Sequence, residues 1–156
     1  MKIRLLVLVA LAVVLTGCGV TRSTSFYDHK PQLIRSEMDG SCVIRVSAKD
    51  RNAAKSMLEA RKMAVYEVVF NGVPSATATV NSLKPLILEV NAKDKYQGWF
   101  NNFISSGEYK KYISVEDKRV ASTDFFRNQQ RVQCVTNVTV YVPALKDKLR
   151  EDNIIK

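Results

Sequence analysis

The spacing of apolar positions over residues 41–72 predicts a strand followed by a helix. Apolar side chains recur at every second position from Cys42 to Ala48 within a strand spanning Ser41–Ala48, which gives that strand one apolar face. From about Arg51 to Phe70 the spacing becomes that of an amphipathic helix, with Asp50 as its predicted N-cap. Asn71-Gly72 is predicted to end this helix, because Gly readily adopts the left-handed backbone conformation found at helix C-termini. The predicted core stripe of this helix consists of Ala53, Met57, Ala60, Ala64 and Val68.

A second helix is predicted from about Ala92 to Ser106, ending at Gly107. Its apolar residues recur three and four positions apart and form a stripe of Tyr96, Trp99, Phe100, Phe103 and Ile104. A small domain needs this apolar area for its core, so we expect the stripe to be buried rather than to serve as a membrane or ligand face. Before this helix, Pro85–Val90 is predicted as a short strand or extended segment.

Two longer strands and a last helix are predicted in the C-terminal part of the chain. The strands lie near Lys111–Ala121 and Arg131–Val142, and Asp124–Gln130 is the predicted hairpin loop between them. Pro143 suits the first position of a helix over Ala144–Glu151, in which Leu145 and Leu149 face inward.

The predicted order of elements is β-α-β-α-β-β-α, which is typical of a single α+β domain. A hairpin between two long strands excludes a purely parallel sheet. We therefore expect the helices to pack on one face of a mixed or antiparallel sheet.

The first eighteen residues follow another pattern, with a short apolar run after two positive charges. Lys2 and Arg4 precede eleven apolar residues, Leu5–Leu15, whereas a bilayer span needs about 20. The following Leu15-Thr16-Gly17-Cys18 resembles the lipobox of bacterial lipoproteins, Leu-[Ala/Ser/Thr]-[Gly/Ala]-Cys. This resemblance implies that residues 1–17 are a signal peptide and that Cys18 is lipidated.

The lipobox also implies where the mature chain works and how it is organised. Its lipid would anchor the protein to a membrane of the cell envelope. Position 19 is Gly and not the Asp that retains enterobacterial lipoproteins at the inner membrane, which favours the outer membrane. No acidic cluster follows Cys18, which favours the periplasmic face. Residues 18–40 show no lasting period and are predicted to form a tether, with Phe26, Tyr27, Leu33 and Ile34 able to dock on the domain of residues 41–156.

The charge of the mature chain narrows the range of partners. Without Lys2 and Arg4, 22 basic residues face 15 acidic ones, a net charge of +7. Secretion argues against nucleic acid as the partner. Anionic head groups, lipopolysaccharide phosphates and acidic envelope proteins are the alternatives, beside a basic surface that is only solvated.

Lipidation of Cys18 leaves Cys42 and Cys134. An even number of cysteines in an oxidising compartment allows a disulfide between them. Two buried free thiols are the alternative, because free cysteine is among the most buried residue types.

Residues typical of catalytic sites are scarce. The only histidine, His29, lies in the predicted tether, which disfavours Ser-His-Asp and Cys-His catalysis and any histidine-rich metal site. There is no glycine-rich phosphate loop and no Cys-x-x-Cys pair. We expect no enzyme activity, no metal and no cofactor.

The predicted hairpin loop supplies a candidate partner-binding surface. Phe125 and Phe126 stand at its start, and Arg127 and Arg131 bracket it. Aromatic and arginine side chains are the residues that anchor protein interfaces. The alternative is that both rings fold back on the core and the arginines are solvated.

Two further resemblances bear on function. Val43–Ala48 followed by Asn52–Ala64 resembles the N-terminal domain of flagellar assembly protein T. The chain is also similar to small envelope lipoproteins that share Ala64–Val73 and Pro85–Ile87. Both imply a non-catalytic accessory or scaffold role in an envelope or secretion assembly, and neither supplies catalytic residues. The alternative function is a binding module for lipopolysaccharide or a cell-wall polymer.

Overall fold

An antiparallel sheet and helices form the domain in this computed structural model, which describes residues 29–78, 81–115, 123–128 and 131–156. The predicted α+β class is confirmed. Within the described residues the strands are β1 Gln32–Ser36, β2 Cys42–Asp50, β3 Ile113–Val115, β4 Thr123–Asn128 and β5 Arg131–Val140.

The central strand of the sheet is β5, where six of ten residues are Val or Thr. One edge of β5 pairs with β2 along its whole length, and β2 pairs with β1. Its other edge takes β4 at residues 131–136 and β3 at residues 138–140. All these pairings are antiparallel.

Three α-helices complete the described fold: α1 Ala53–Tyr66, α2 Ala92–Ser105 and α3 Val142–Glu151. A π-helical turn, Glu67–Asn71, extends α1, and a 3₁₀ turn, Glu108–Tyr112, follows α2. The observed order is therefore β-β-α-α-β-β-β-α instead of the predicted β-α-β-α-β-β-α.

The core lies between the helices and one face of the sheet. Ile44 and Val138, paired across β2 and β5, belong to the same buried cluster as residues from all three helices. That cluster includes Ala60, Ala64, Val68, Phe103, Leu145 and Leu149. The prediction that helices pack on one face is confirmed, as is the inward position of Leu145 and Leu149.

The aromatic stripe of α2 is only partly a core stripe. Phe103 is buried, while Tyr96, Trp99, Phe100 and Ile104 are half-buried. Trp99 stacks on Phe103 at a centroid distance of 5.1 Å, and its Nε1 donates to Asp152 Oδ2 at 2.8 Å. The stripe therefore joins α2 to the end of α3 and leaves one flank accessible.

The two ends of α1 differ in how well they were predicted. Asn52, and not Asp50, is the N-cap, because its side chain accepts from the backbone N–H of Lys55 at 2.9 Å. Asp50 is the last residue of β2. The predicted stop holds: Gly72 has φ +73°, and a Cβ there would lie 2.5 Å from the Leu83 carbonyl oxygen.

The boundary of the tether at residue 40 is wrong. Residues 32–36 form β1, in which Leu33 is buried opposite Ile44. The Leu33 N–H also donates to Pro74 O at 2.8 Å. The folded domain thus begins by Gln32, and residues 18–28 of the predicted tether lie outside the described residues.

Pro85–Val90 contains no strand. The N–H groups of Leu86 and Ile87 donate to the carbonyls of Val68 and Val69, at 3.0 and 3.1 Å. Those carbonyls stand at the end of a helix, where intrahelical donors run out. The segment therefore closes the helix end and is fixed by the buried Ile87 side chain.

The predicted strand near Lys111–Ala121 begins two residues later. Lys111 and Tyr112 belong to the 3₁₀ turn, the strand begins at Ile113, and residues 116–121 lie outside the described residues.

Candidate binding surfaces

The lipidation residue predicted by the lipobox, Cys18, lies outside the described residues. Among the helices that are described, none is both long enough and apolar enough to cross a membrane.

His29 is held against the sheet at the point where the described chain begins. The Ser47 hydroxyl donates to the His29 backbone oxygen at 3.1 Å, and the imidazole stacks on Phe126 at 6.4 Å between centroids. Across the described ranges, no group of three or more His, Cys, Asp or Glu side chains is placed to hold a metal ion.

The disulfide between Cys42 and Cys134 is excluded by the register of the sheet. Both residues lie on the helix-facing side, as predicted, but Cys42 pairs with Val140 and Cys134 with Ala48. Six residues of β5 separate the two pairs, roughly 20 Å, whereas disulfides need Cα atoms within about 6.8 Å. Both cysteines are buried free thiols, and burial raises the pKa of Cys134 to about 11.

Most of the predicted hairpin loop is part of strand β4. The strand places the candidate partner-binding residues on different faces of the sheet. Phe125 pairs with Cys134 and Phe126 with Gln133, so the two rings point to opposite faces of the sheet. Phe125 and Arg127 share the helix-facing side, where Phe125 is 42% exposed. Arg131 begins β5 and pairs with Asn128. The four residues do not form one surface.

An apolar groove that the sequence pattern did not predict runs between α1 and α2. We call it the α1–α2 groove; its volume is about 660 Å³, within the range of ligand-binding sites. The apolar side chains that line it are Leu58, Met63, Tyr66, Phe100 and Ile104. Met63 is 39% exposed, so the apolar lining reaches the solvent.

A smaller hollow of about 310 Å³ continues the groove and shares Tyr66, Phe100 and Asn101 with it. Here Tyr66, Phe70 and Phe100 form an aromatic cluster with centroids 5.2 to 5.5 Å apart. Lys93 Nζ lies 5.8 Å from the centre of the Tyr66 ring at this end. The aromatic cluster therefore forms part of the lining where the groove and the hollow meet.

Polar groups stand at the opposite end of the α1–α2 groove. Lys62 is paired with Glu59 at 2.7 Å, whereas Lys110 has no carboxylate within 4 Å among the described residues. The buried Tyr109 hydroxyl has no hydrogen-bond partner within the described structure, and burial raises its pKa. The group at this end that solvent can reach is the exposed Lys110 ammonium, whereas the Tyr109 hydroxyl is enclosed by the protein.

A second surface is the loop that precedes α2. Leu88 is 76% exposed and Val90 is 88% exposed. Leu88 also borders a hollow of about 850 Å³ whose other walls include Lys95, Lys146 and Lys156. Leu88 and Val90 thus form a small exposed apolar patch, with lysines on one side of it.

No family model matches this chain, and no curated protein or solved structure matches it either.

Proposed function

We propose that this protein is a non-catalytic outer-membrane lipoprotein that faces the periplasm and acts as an accessory or scaffold component of an envelope or secretion assembly. The charged start, the short apolar run and Leu15-Thr16-Gly17-Cys18 support a lipid anchor on Cys18. Several acyl chains on one residue hold a protein stably at a membrane. The folded domain then presents its surfaces to neighbouring envelope proteins.

The α1–α2 groove carries the docking part of this proposal. An amphipathic helix binds by laying apolar side chains, three and four positions apart, into such a groove. From Leu58 to Phe70, α1 and the π-helical turn that extends it rise roughly 18 Å, which accommodates about three turns of a docked helix. Lys110 at one end favours an acidic side chain on the partner. The occupant we propose is an amphipathic helix of a partner protein with an acidic residue near Lys110.

The second candidate function is binding of an anionic envelope component such as lipopolysaccharide or a cell-wall polymer. The net charge of +7 on the mature chain favours it, as does Lys110, which forms no ion pair within 4 Å among the described residues. An acyl chain would occupy the same apolar floor.

Site-specific photo-crosslinking in cells tests the proposal. A benzophenone amino acid at Met63, in the groove, is expected to give a discrete adduct with one envelope protein. Lys110→Glu should lower the yield of this adduct about fivefold, since a lost rim ion pair and a new repulsion are worth roughly 1 kcal/mol. Mass spectrometry of the adduct should place the crosslink in an amphipathic helix.

Two neighbours supply matched controls. Lys111 is exposed but does not line the groove, so Lys111→Glu should leave the adduct unchanged. A benzophenone at the exposed Ala54, on the first turns of α1, should give no adduct. An adduct with lipopolysaccharide would favour the second candidate, and equal labelling from Ala54 and Met63 would contradict docking in the groove.

A further inference from the structure

The loop before α2 carries two aliphatic side chains that the fold holds out in solvent. We call Leu88, Glu89 and Val90 the Leu88–Val90 tip. The preceding residues are fixed by the bonds from Leu86 and Ile87 to the end of α1 and by the buried Ile87 side chain. The Ala92 N–H donates to the Glu89 carbonyl at 3.3 Å, which closes the turn into α2. The exposure of Leu88 and Val90 is therefore imposed by a braced loop.

Positive charge surrounds the tip. Lys95, Lys146 and Lys156 line the same hollow as Leu88. Lys84 and Lys93 are exposed and flank the loop in the sequence. The acidic residues in this stretch are Glu89 and Asp94, and Glu89 is bound by Lys95 Nζ at 2.6 Å and by the Tyr96 hydroxyl at 3.1 Å. Lysines thus outnumber carboxylates around the tip.

We propose that the Leu88–Val90 tip inserts into the anionic phospholipid surface of the membrane to which the chain is anchored. Leu88 and Val90 would enter the boundary between head groups and acyl chains, and the surrounding lysines would bind phosphates. Aliphatic side chains with lysines at their edge are the composition of interfacial membrane contacts. Protein interfaces are instead depleted in lysine and enriched in aromatic residues and arginine.

The inference rests on the lipid anchor of the proposed function, because the anchor keeps the tip close to a membrane. His29, where the described chain begins, is fixed to β2 by Ser47. Eleven peptide units join Cys18 to His29 and reach at most about 40 Å. A domain of this length has a radius of gyration of about 14 Å. The tether is therefore long enough to let the tip face the membrane. It is also short enough to keep the local concentration of the tip at the membrane surface high.

Vesicle binding by the unacylated chain tests the tip without the anchor. The chain from residue 18 to Lys156 with Cys18→Ser is expected to bind vesicles of phosphatidylethanolamine and phosphatidylglycerol, and to bind pure phosphatidylcholine at least tenfold more weakly. Leu88→Ser with Val90→Ser should lower binding to the anionic vesicles about tenfold. Both side chains are exposed, so the melting temperature of this variant should not change.

A second experiment measures how deeply the Leu88–Val90 tip of the acylated protein enters the membrane. A polarity-sensitive fluorophore on Leu88→Cys should shift to the blue in anionic vesicles and be quenched by nitroxide lipids. The control is Ala54→Cys, near the start of α1. Position 54 lies about 21 Å along the helix axis from Val68, which binds the loop at Leu86, so the probe should remain in water. Selective labelling is feasible because Cys42 and Cys134 are buried.

Failure of this inference is distinguishable from failure of the proposed function. Absence of vesicle binding together with an unshifted Leu88→Cys probe on acylated protein would overturn the membrane contact and leave the anchor intact. Unchanged vesicle binding by the Leu88→Ser, Val90→Ser variant would also overturn the membrane contact. If the same variant lost a photo-crosslink to an envelope protein, the tip would instead be a contact for a protein partner. A chain that is not acylated at Cys18 would refute the anchor.

Discussion

Replacement of Phe103 by Ala is expected to lower the free energy of unfolding by about 3–5 kcal/mol. Phe103 is buried in the main core cluster, where its ring stacks on Trp99 and lies 5.7 Å from the Tyr112 ring. Removing the ring leaves a cavity between α2 and the 3₁₀ turn, and a loss of this size is a large share of the stability of a small domain. Thermal and urea unfolding followed by circular dichroism measure it.

Asn102→Ala is the matched control, because Asn102 is the exposed neighbour on the same helix. Its free energy of unfolding should change by no more than about 0.5 kcal/mol. A Phe103→Ala protein with the melting temperature of the wild type would mean that the α2 stripe does not contribute to the core.

Replacement of Cys18 by Ser is expected to release the protein from the membrane fraction or to leave an uncleaved precursor. We expect the proposed lipid to supply the strong anchor, whereas a braced tip with two aliphatic residues gives reversible binding that salt weakens. Fractionation of cells in high salt, followed by immunoblotting, measures the distribution. At least nine tenths of the wild-type protein should sediment with membranes, and little of the mature-size variant should.

Cys42→Ala supplies the control for a general effect of losing a cysteine. Cys42 is a buried free thiol in β2, so its substitution should leave the protein in the membrane fraction. Full retention of the Cys18→Ser protein at high salt would contradict the anchor.

The elements that could be predicted from the sequence have regularly spaced apolar residues, which form a face that packs on the core. In Cys42–Asp50 and Arg131–Val140 apolar residues recur mostly at every second position, with Val43 and Val135 as buried exceptions. The helices α1 and α2 keep helical spacing over fourteen residues. Such patterns survive in the fold because each places a continuous apolar face on the core.

The elements that were not predictable depend on pairing with distant residues. In β1 a single side chain, Leu33, is buried, and the strand exists through its pairing with β2. Similarly, Asp124–Arg127 has no apolar alternation, and its strand state comes from the ladder to β5. The apolar run in Pro85–Val90 predicts a short strand or an extended segment; it forms no strand and instead completes the end of a helix.

The binding surfaces depend on tertiary packing in the same way. The walls of the α1–α2 groove, such as Met63 and Ile104, are far apart in the sequence and meet only because α2 lies beside α1. Phe100 and Ile104 had been assigned to the core by their period, yet their exposed flank forms part of the groove. The alternation of apolar residues correctly predicts that Cys42 and Cys134 lie on the same face of the sheet. The distance between them depends on the register of β2 against β5, which the alternation does not determine.

The mass of the N-terminal peptide of the protein taken from cell membranes decides whether the chain is lipid-anchored at Cys18. We expect a mature chain that begins at Cys18, with a diacylglyceryl group on its sulfur and an acyl chain on its amino group. A chain that retains residues 1–17, or one that begins elsewhere and carries a free thiol at Cys18, would contradict it.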